Sequence, residues 1–265
     1  MKITFIGAGN MAEAIVAGIL EKQVVAAADV CVTDISEERL SRFLAKYNVG
    51  TSTDNAGAVA QADVVVLSVK PQVFPEVWPD IADAVRPDAL IVSIMAGIPS
   101  VEIAGGRPAR VVRVMPNTPA LVGAGAAGIA PGAFATADDL EVVRKLMGAV
   151  GSAVIVTEEE MDAVTALSGS GPAYVFYLLE SMLEAAARMG LEKKISRELA
   201  LATVAGAARL MRETGEDADV LRRRVTSKGG TTEAAINIME KEGIKESIVA
   251  ALLAAQARSR ELANG

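Results

Sequence analysis

The stretch that decides the fold is Phe5-Ile6-Gly7-Ala8-Gly9-Asn10-Met11-Ala12. The apolar run Ile3–Ile6 leads into it. A helical pattern over 10–20, with Met11, Ile15 and Ile19 near one face, leads out. Strand, glycine turn and helix form the setting in which G-x-G-x-x-A binds a dinucleotide. Gly7 permits the tight turn, Gly9 lets the backbone approach a pyrophosphate, and Ala12 lets helix and strand pack closely. The helix N-terminus then faces the anion. The motif alone is weak in a chain so rich in Gly and Ala. Its weight comes from the strand before it, the helix after it and a second strand about 20 residues on.

Working outward, further apolar strands are predicted at 30–33, 64–69, 90–94, 111–115 and 153–156, with helices at 36–47 and 137–148 between them. Ser36 is placed to cap the first of these helices. Alternating β and α with apolar strands implies a parallel sheet covered on both faces. The pattern changes at Thr157, which with Glu160 has capping-box spacing. Beyond it only helices are predicted, at 161–167, 172–189, 196–214, 232–241 and 245–263. Gly190, Gly215 and Gly243 fall where C-terminal caps belong, and Pro172 suits a first helical turn. The expected architecture is α/β: a Rossmann-type parallel sheet over 1–157 and an all-helical domain over 158–265. Val175, Leu178, Leu179, Met182 and Leu183 crowd several sides of one helix, so that domain is expected to dimerise through its helices. Tyr174, Phe176 and Tyr177 are expected in its core or dimer contact.

The chain has 265 residues, 51% of them apolar, and a net charge of −7. That charge argues against a nucleic-acid partner. The one basic run, Arg222 to Arg224, reads as a solvated helix face. The single cysteine, Cys31, can form neither an internal disulfide nor a zinc site alone, and is expected as a small core residue of a strand. There is no histidine, which excludes a Ser-His-Asp triad, a His acid and most transition-metal sites. No secretory leader or membrane span is visible, so a cytoplasmic protein without a membrane partner is expected.

Asp34 ends the second strand, where an acid accepts hydrogen bonds from the adenosine ribose and repels a 2′-phosphate; a turn or capping role is the alternative. Ligands of open α/β sheets bind beyond the carboxyl ends of the strands. Three loops lie there: Val69-Lys70-Pro71-Gln72, Met95-Ala96-Gly97 and Pro116-Asn117-Thr118-Pro119. In the helical half, Ser168-Gly169-Ser170-Gly171-Pro172 combines a helix break with room for a ligand or partner chain, and Ser170 is its candidate substrate contact. Gly229-Gly230-Thr231-Thr232 is a glycine turn opening a helix, which is either an anion site or a Thr-capped loop.

Taken together, residues 5–12 (FIGAGNMA), 69–72 (VKPQ), 112–120 (VRVMPNTPA), 167–176 (LSGSGPAYVF) and 225–235 (VTSKGGTTEAA) resemble pyrroline-5-carboxylate reductase, in order and spacing. The resemblance implies an intertwined homodimer, with larger assemblies built from dimers. It implies reduction of the cyclic imino acid 1-pyrroline-5-carboxylate to L-proline with NADPH or NADH, the last step of proline biosynthesis. By position, Ile6, Gly7, Ala8, Gly9, Asn10 and Met11 would line the pyrophosphate and Asn55 the adenosine ribose. Ser68, Val69, Lys70 and Pro71, with Ile94, Met95 and Ala96, would flank ribose and nicotinamide, and Asn117 would be a further cofactor contact. Gly230, Thr231 and Thr232 would hold the substrate, the Thr232 hydroxyl lying near its ring nitrogen as the catalytic contact. Two departures mark this chain: Lys228 stands where the family often has Pro, and Asp34 where many NADPH-preferring members carry small polar residues.

The chemistry suits a chain without histidine. A cyclic imine is basic enough to take its proton from solvent, and the iminium carbon then accepts hydride without a strong enzymatic acid. Main-chain N–H groups of Gly229, Gly230 and Thr231 are expected on the substrate carboxylate. A 3-hydroxyacid dehydrogenase shares the two-domain plan but needs a catalytic lysine after a Gly-rich helix motif; Lys193 and Lys194 read as a turn without one. A non-catalytic dinucleotide-binding protein is the remaining alternative.

Overall fold

The computed structural model describes residues 1–264; Gly265, the last residue of the expected helical domain, lies outside them. The chain divides into two units, Met1–Pro172 with Ala255–Gly265, and Ala173–Ala254.

The first unit carries β1 (Ile3–Ile6), α1 (Asn10–Glu21), β2 (Val30–Thr33), α2 (Glu37–Tyr47), β3 (Gly50–Ser52), α3 (Asn55–Val59), β4 (Val64–Leu67), α4 (Phe74–Ile81), β5 (Leu90–Ser93), α5 (Ser100–Ala104), β6 (Arg110–Met115), β7 (Gly125–Pro131), α6 (Ala137–Gly148), β8 (Gly151–Ile155) and α7 (Met161–Val164). The eight strands form one sheet in the order β3-β2-β1-β4-β5-β6-β7-β8. Period-two alternation explains why helices cover both faces. Ile3, Phe5, Val30, Val32, Val64, Val66, Val112 and Val114 enter one core with Ile15 and Ile19 of α1, Phe43 of α2 and Leu146 of α6. Ile6, Val65, Leu67, Ile91 and Val111 enter the other with Val59 of α3, Trp78 of α4 and Ile103 of α5. The chain crosses from β1 to β2 and then back to β4 on the far side of β1, so the carboxyl end of β1 faces a switch point, where ligands of such sheets bind.

The all-parallel expectation fails at the last two strands: β7 runs antiparallel to β6, and β8, parallel to β7, shares its reversed direction. β7 reads Gly-Ala-Ala-Gly-Ile-Ala-Pro, a composition depleted in strands, yet burial of Ala127, Ile129 and Ala130 makes it one. Helix α4 also escapes the sequence pattern, because Pro75 and Pro79 punctuate it, although Phe74, Trp78 and Ile81 form a buried stripe. Cys31 lies in β2 as expected but is only half-buried, and burial pushes its thiol pKa up.

The last helices are α8 (Gly171–Arg188), α9 (Lys193–Thr214), α10 (Ala218–Arg224), α11 (Thr231–Lys241) and α12 (Ile244–Asn264). Lys193 and Lys194 open α9 rather than lying in a turn. Gly190, Gly215 and Gly243 adopt positive φ where the preceding helices end. The basic run lies on the short α10, and each arginine meets an acid: Arg222 pairs with Glu240, Arg223 with Asp219 and Arg224 with Glu216. The second unit buries little: within it only Ala186, Ser196 and Ala200 are buried, while Phe176, Tyr177, Leu199 and Leu253 lie open. Among the described residues no helix is long and apolar enough to cross a membrane.

Candidate active site

Gly7 turns the chain out of β1 at φ +103°, and a Cβ there would stand 2.9 Å from the Ser68 carbonyl oxygen. Its N–H donates to the Thr33 carbonyl at 2.8 Å. The Ser68 hydroxyl lies 2.9 and 2.8 Å from the carbonyl oxygens of Ile6 and Gly7, tying the end of β4 to the glycine loop. Gly9 caps α1 with no side-chain bond, and a Cβ built on it would meet nothing within 4 Å. The N–H groups of Asn10, Met11 and Ala12 have no acceptor among the described residues. Unpaired amides, an open approach and the positive end of a helix dipole fit a pyrophosphate. Behind them the buried Glu13 accepts hydrogen bonds from Arg42, Lys46 and Tyr47, fixing α1 against α2. Burial raises its pKa, but these three partners outweigh that and hold it below the usual carboxylate range.

A groove of about 450 Å³ opens along this loop, a size suited to a small ligand or cofactor. Ile6, Gly7, Gly9, Asn10, Asp34, Asn55, Ser68, Val69 and Lys70 of the expected cofactor set line it. Asn55 opens α3, and its Oδ1 accepts from the Thr33 hydroxyl at 2.5 Å, which turns its amide nitrogen away from that bond. Asp34 takes the turn role weighed for it and stands at the groove as well: Oδ2 accepts from the Ala8 N–H at 2.8 Å and Oδ1 from the Ser36 N–H at 2.9 Å.

Other expected contacts lie elsewhere. Ala8 buries its side chain and gives its amide to Asp34, so it braces the loop instead of facing the groove. Met11 packs against the core. Pro71 starts a short 3-10 turn beyond Lys70. Ile94 packs against one core and the buried Met95 joins the other, which leaves Ala96 exposed in that loop. Asn117 is buried with both ends of its amide engaged: Nδ2 donates to the Ser168 carbonyl at 3.0 Å and Oδ1 accepts from the Ala126 N–H at 2.8 Å. It staples the loop after β6 to neighbouring backbone. Sequence reasoning missed Ile35, Val73 and Val77, which also line the groove, as does Arg39 of α2. Ile35 is 95% exposed. An isoleucine wedged between an Asp and a helix-capping Ser was the signal for it.

In the second unit, Gly229 adopts φ +75° and Gly230 caps α11 without a side-chain bond, so the Thr-cap alternative is overturned. The amide assignment shifts as well. The Gly229 N–H donates to Glu233 Oε2 at 2.7 Å and the Gly230 N–H to the Ser227 carbonyl at 3.0 Å, so neither is available to a ligand. The donors without a partner among the described residues are the N–H groups of Thr231, Thr232 and Glu233, in the first turn of the helix. The Thr232 hydroxyl has no partner among the described residues and is half-buried beside them. In the first unit, the Ser168 to Pro172 segment begins inside a π-helical turn over Thr165–Gly169, closed by the Ser170 N–H on the Thr165 carbonyl at 2.8 Å. Such turns recur at functional sites.

Known proteins match both halves of the chain. Residues 158–262 match a family model described as pyrroline-5-carboxylate reductase dimerisation, and residues 2–97 one described as NADP oxidoreductase coenzyme F420-dependent. The pyrroline-5-carboxylate reductase of Pseudomonas aeruginosa is 45% identical over 99% of this chain and 97% of its own. That of Methanosarcina acetivorans is 41% identical over 98% and 97%. Among solved structures, a pyrroline-5-carboxylate reductase from Coxiella burnetii superposes with a TM-score of 0.93 at 40% identity, covering 98% of each chain. The Plasmodium falciparum pyrroline carboxylate reductase with NADP bound gives 0.89 at 26% identity, covering 99% of this chain and 98% of its own.

Proposed function

The chain belongs to the pyrroline-5-carboxylate reductase family, and on that premise we propose the residues by which it reduces 1-pyrroline-5-carboxylate to L-proline. NADPH or NADH, when bound, supplies the hydride. The amides of Asn10, Met11 and Ala12 hold its pyrophosphate, with Gly7 and Gly9 giving the backbone its closeness. Asp34 and Asn55 take the adenosine ribose, and Ile35 at the groove lip meets the adenine. Val69 and Lys70 continue along the groove. Ser68, on the groove wall, and Asn117 also tie the loops that shape the site.

The observation that carries the substrate site is the start of α11. With Gly229 and Gly230 already engaged, the unpaired N–H groups of Thr231 and Thr232 receive the substrate carboxylate at the positive end of the helix. The Thr232 hydroxyl, bonded to nothing else, is free to meet the ring nitrogen and fix the orientation of the imine carbon. Ser170, whose hydroxyl likewise has no partner among the described residues, is the further substrate contact. Solvent protonates the imine, so the chain's task is to orient and to exclude water, and no histidine is needed.

The protein acts as a homodimer: the open apolar faces of α8, α9 and α12 need a partner surface, and the matched helical family is a dimerisation domain. Its dependence on a renewable NAD(P)H pool argues for a cytoplasmic setting. The test is NAD(P)H oxidation followed by absorbance with 1-pyrroline-5-carboxylate beside 3-hydroxyisobutyrate. Turnover of the imine alone is expected; turnover of the hydroxyacid alone would overturn the reading.

A further inference from the structure

Asp34 stands at the carboxyl end of β2 on the wall of the cofactor groove, with its side chain only 8% exposed. The amides of Ala8 and Ser36, one on each carboxylate oxygen, pin it from two directions. A carboxylate so held cannot swing away from an arriving ligand. Two bonds leave about half of its roughly four acceptor positions open, and those positions accept only from donors. A ribose with both hydroxyls supplies donors. A ribose carrying a 2′-phosphate supplies oxygens and negative charge.

Arg39 is the second member of the site. It projects from α2 with its side chain 60% exposed, and its Nη1 lies 3.6 Å from Asp34 Oδ2. That distance makes an ion pair without a hydrogen bond, so the guanidinium donors remain unused. The other cation lining the groove, Lys70, follows β4.

We propose that Asp34 makes this reductase select NADH over NADPH, and that Arg39, held beside it, is a latent ligand for the 2′-phosphate that acts once the Asp34 charge is removed. The proposal rests on the cofactor groove described above. Discrimination comes more from the unfavourable like-charge contact than from the added hydroxyl bond.

The test is kcat/KM and cofactor titration with NADH and NADPH for the wild type, Asp34→Asn, Asp34→Ser and Asp34→Ser/Arg39→Ala, with saturating 1-pyrroline-5-carboxylate in the kinetics. The wild type is expected to favour NADH by about tenfold or more. Asp34→Ser should move the ratio toward NADPH by at least about tenfold, and the added Arg39→Ala should remove that gain. Asp34→Asn keeps the side-chain shape and should move the ratio the same way if the loop bonds are perturbed less. A wild type that favours NADPH overturns the proposal. So do variants that lose both cofactors in parallel, which would make Asp34 a loop tie only. Tight cofactor binding that all three substitutions leave untouched would instead show that the groove itself is misassigned.

Discussion

Helices α1 and α11 both begin at a glycine cap without a side-chain bond, and both leave their first amides unpaired. Their surroundings differ. α1 buries Ala12, Ile15, Val16 and Ile19 against the sheet, whereas α11 has no buried residue. An anion site works only if its donors are held in place. The first unit supplies that rigidity from its own two cores. The second unit buries little of its own, and in the proposed dimer a partner copy supplies that rigidity. On the proposed reading, the cofactor end of the reaction is complete within one chain and the substrate end depends on assembly.

The largest effect should come from breaking assembly. Phe176 and Leu199 are 59% and 55% exposed on α8 and α9, where a charge would oppose dimer burial. Phe176→Glu/Leu199→Glu should abolish turnover while the protein still binds the dinucleotide. Sedimentation should show a dimer for the wild type and its loss in the variant. A wild-type monomer at micromolar concentration, or a monomeric variant with normal turnover, would remove the contrast between the units.

The reverse dissection uses Gly9. Nothing within 4 Å opposes a side chain there, so Gly9→Val should fold and dimerise normally. Its side chain would occupy the pyrophosphate approach and raise the cofactor Kd about 100-fold or more, equivalent to about 2.8 kcal/mol. An unchanged Kd in folded protein would misplace the cofactor site.

The smallest expected effect sharpens why α1 is rigid. The folded-state pKa of Glu13 is lowered, so its contribution is fully present above the unfolded value of about 4.3 and is lost as pH falls through the folded one. Glu13→Gln should lower stability at pH 7 by about 1–3 kcal/mol and flatten the loss of stability below about pH 4.5. Parallel denaturation curves for the two proteins between pH 3 and 7 would show that the cluster contributes nothing.

The same contrast explains what could be read beforehand. β1, α1, β2, α2 and α6 follow clean periodicity, and their buried faces are set by residues near in sequence. β7 and α4 did not, because Gly, Ala and Pro conceal elements that tertiary burial imposes. At the site, the glycines were legible through backbone geometry. The partners of individual groups were not: nothing in Asn117 announced that its amide would bond to Ser168 and Ala126, nor in Glu233 that it would take the Gly229 N–H. Spacing identifies which residues gather at a strand or helix end. Which donors stay unpaired depends on contacts that only the fold creates.

The most direct test of that division of labour is steady-state kinetics of Thr232→Ala and Thr232→Ser with 1-pyrroline-5-carboxylate, beside cofactor titration of the same proteins. Thr232 does not cap α11, so its loss should cost little stability. Thr232→Ala is expected to keep the wild-type cofactor Kd and lose about tenfold or more in kcat/KM, at about 1.4 kcal/mol per decade, while Thr232→Ser retains most of it. Thr232→Ala with wild-type kcat/KM, or with a weakened cofactor Kd, would contradict the substrate site at the start of α11.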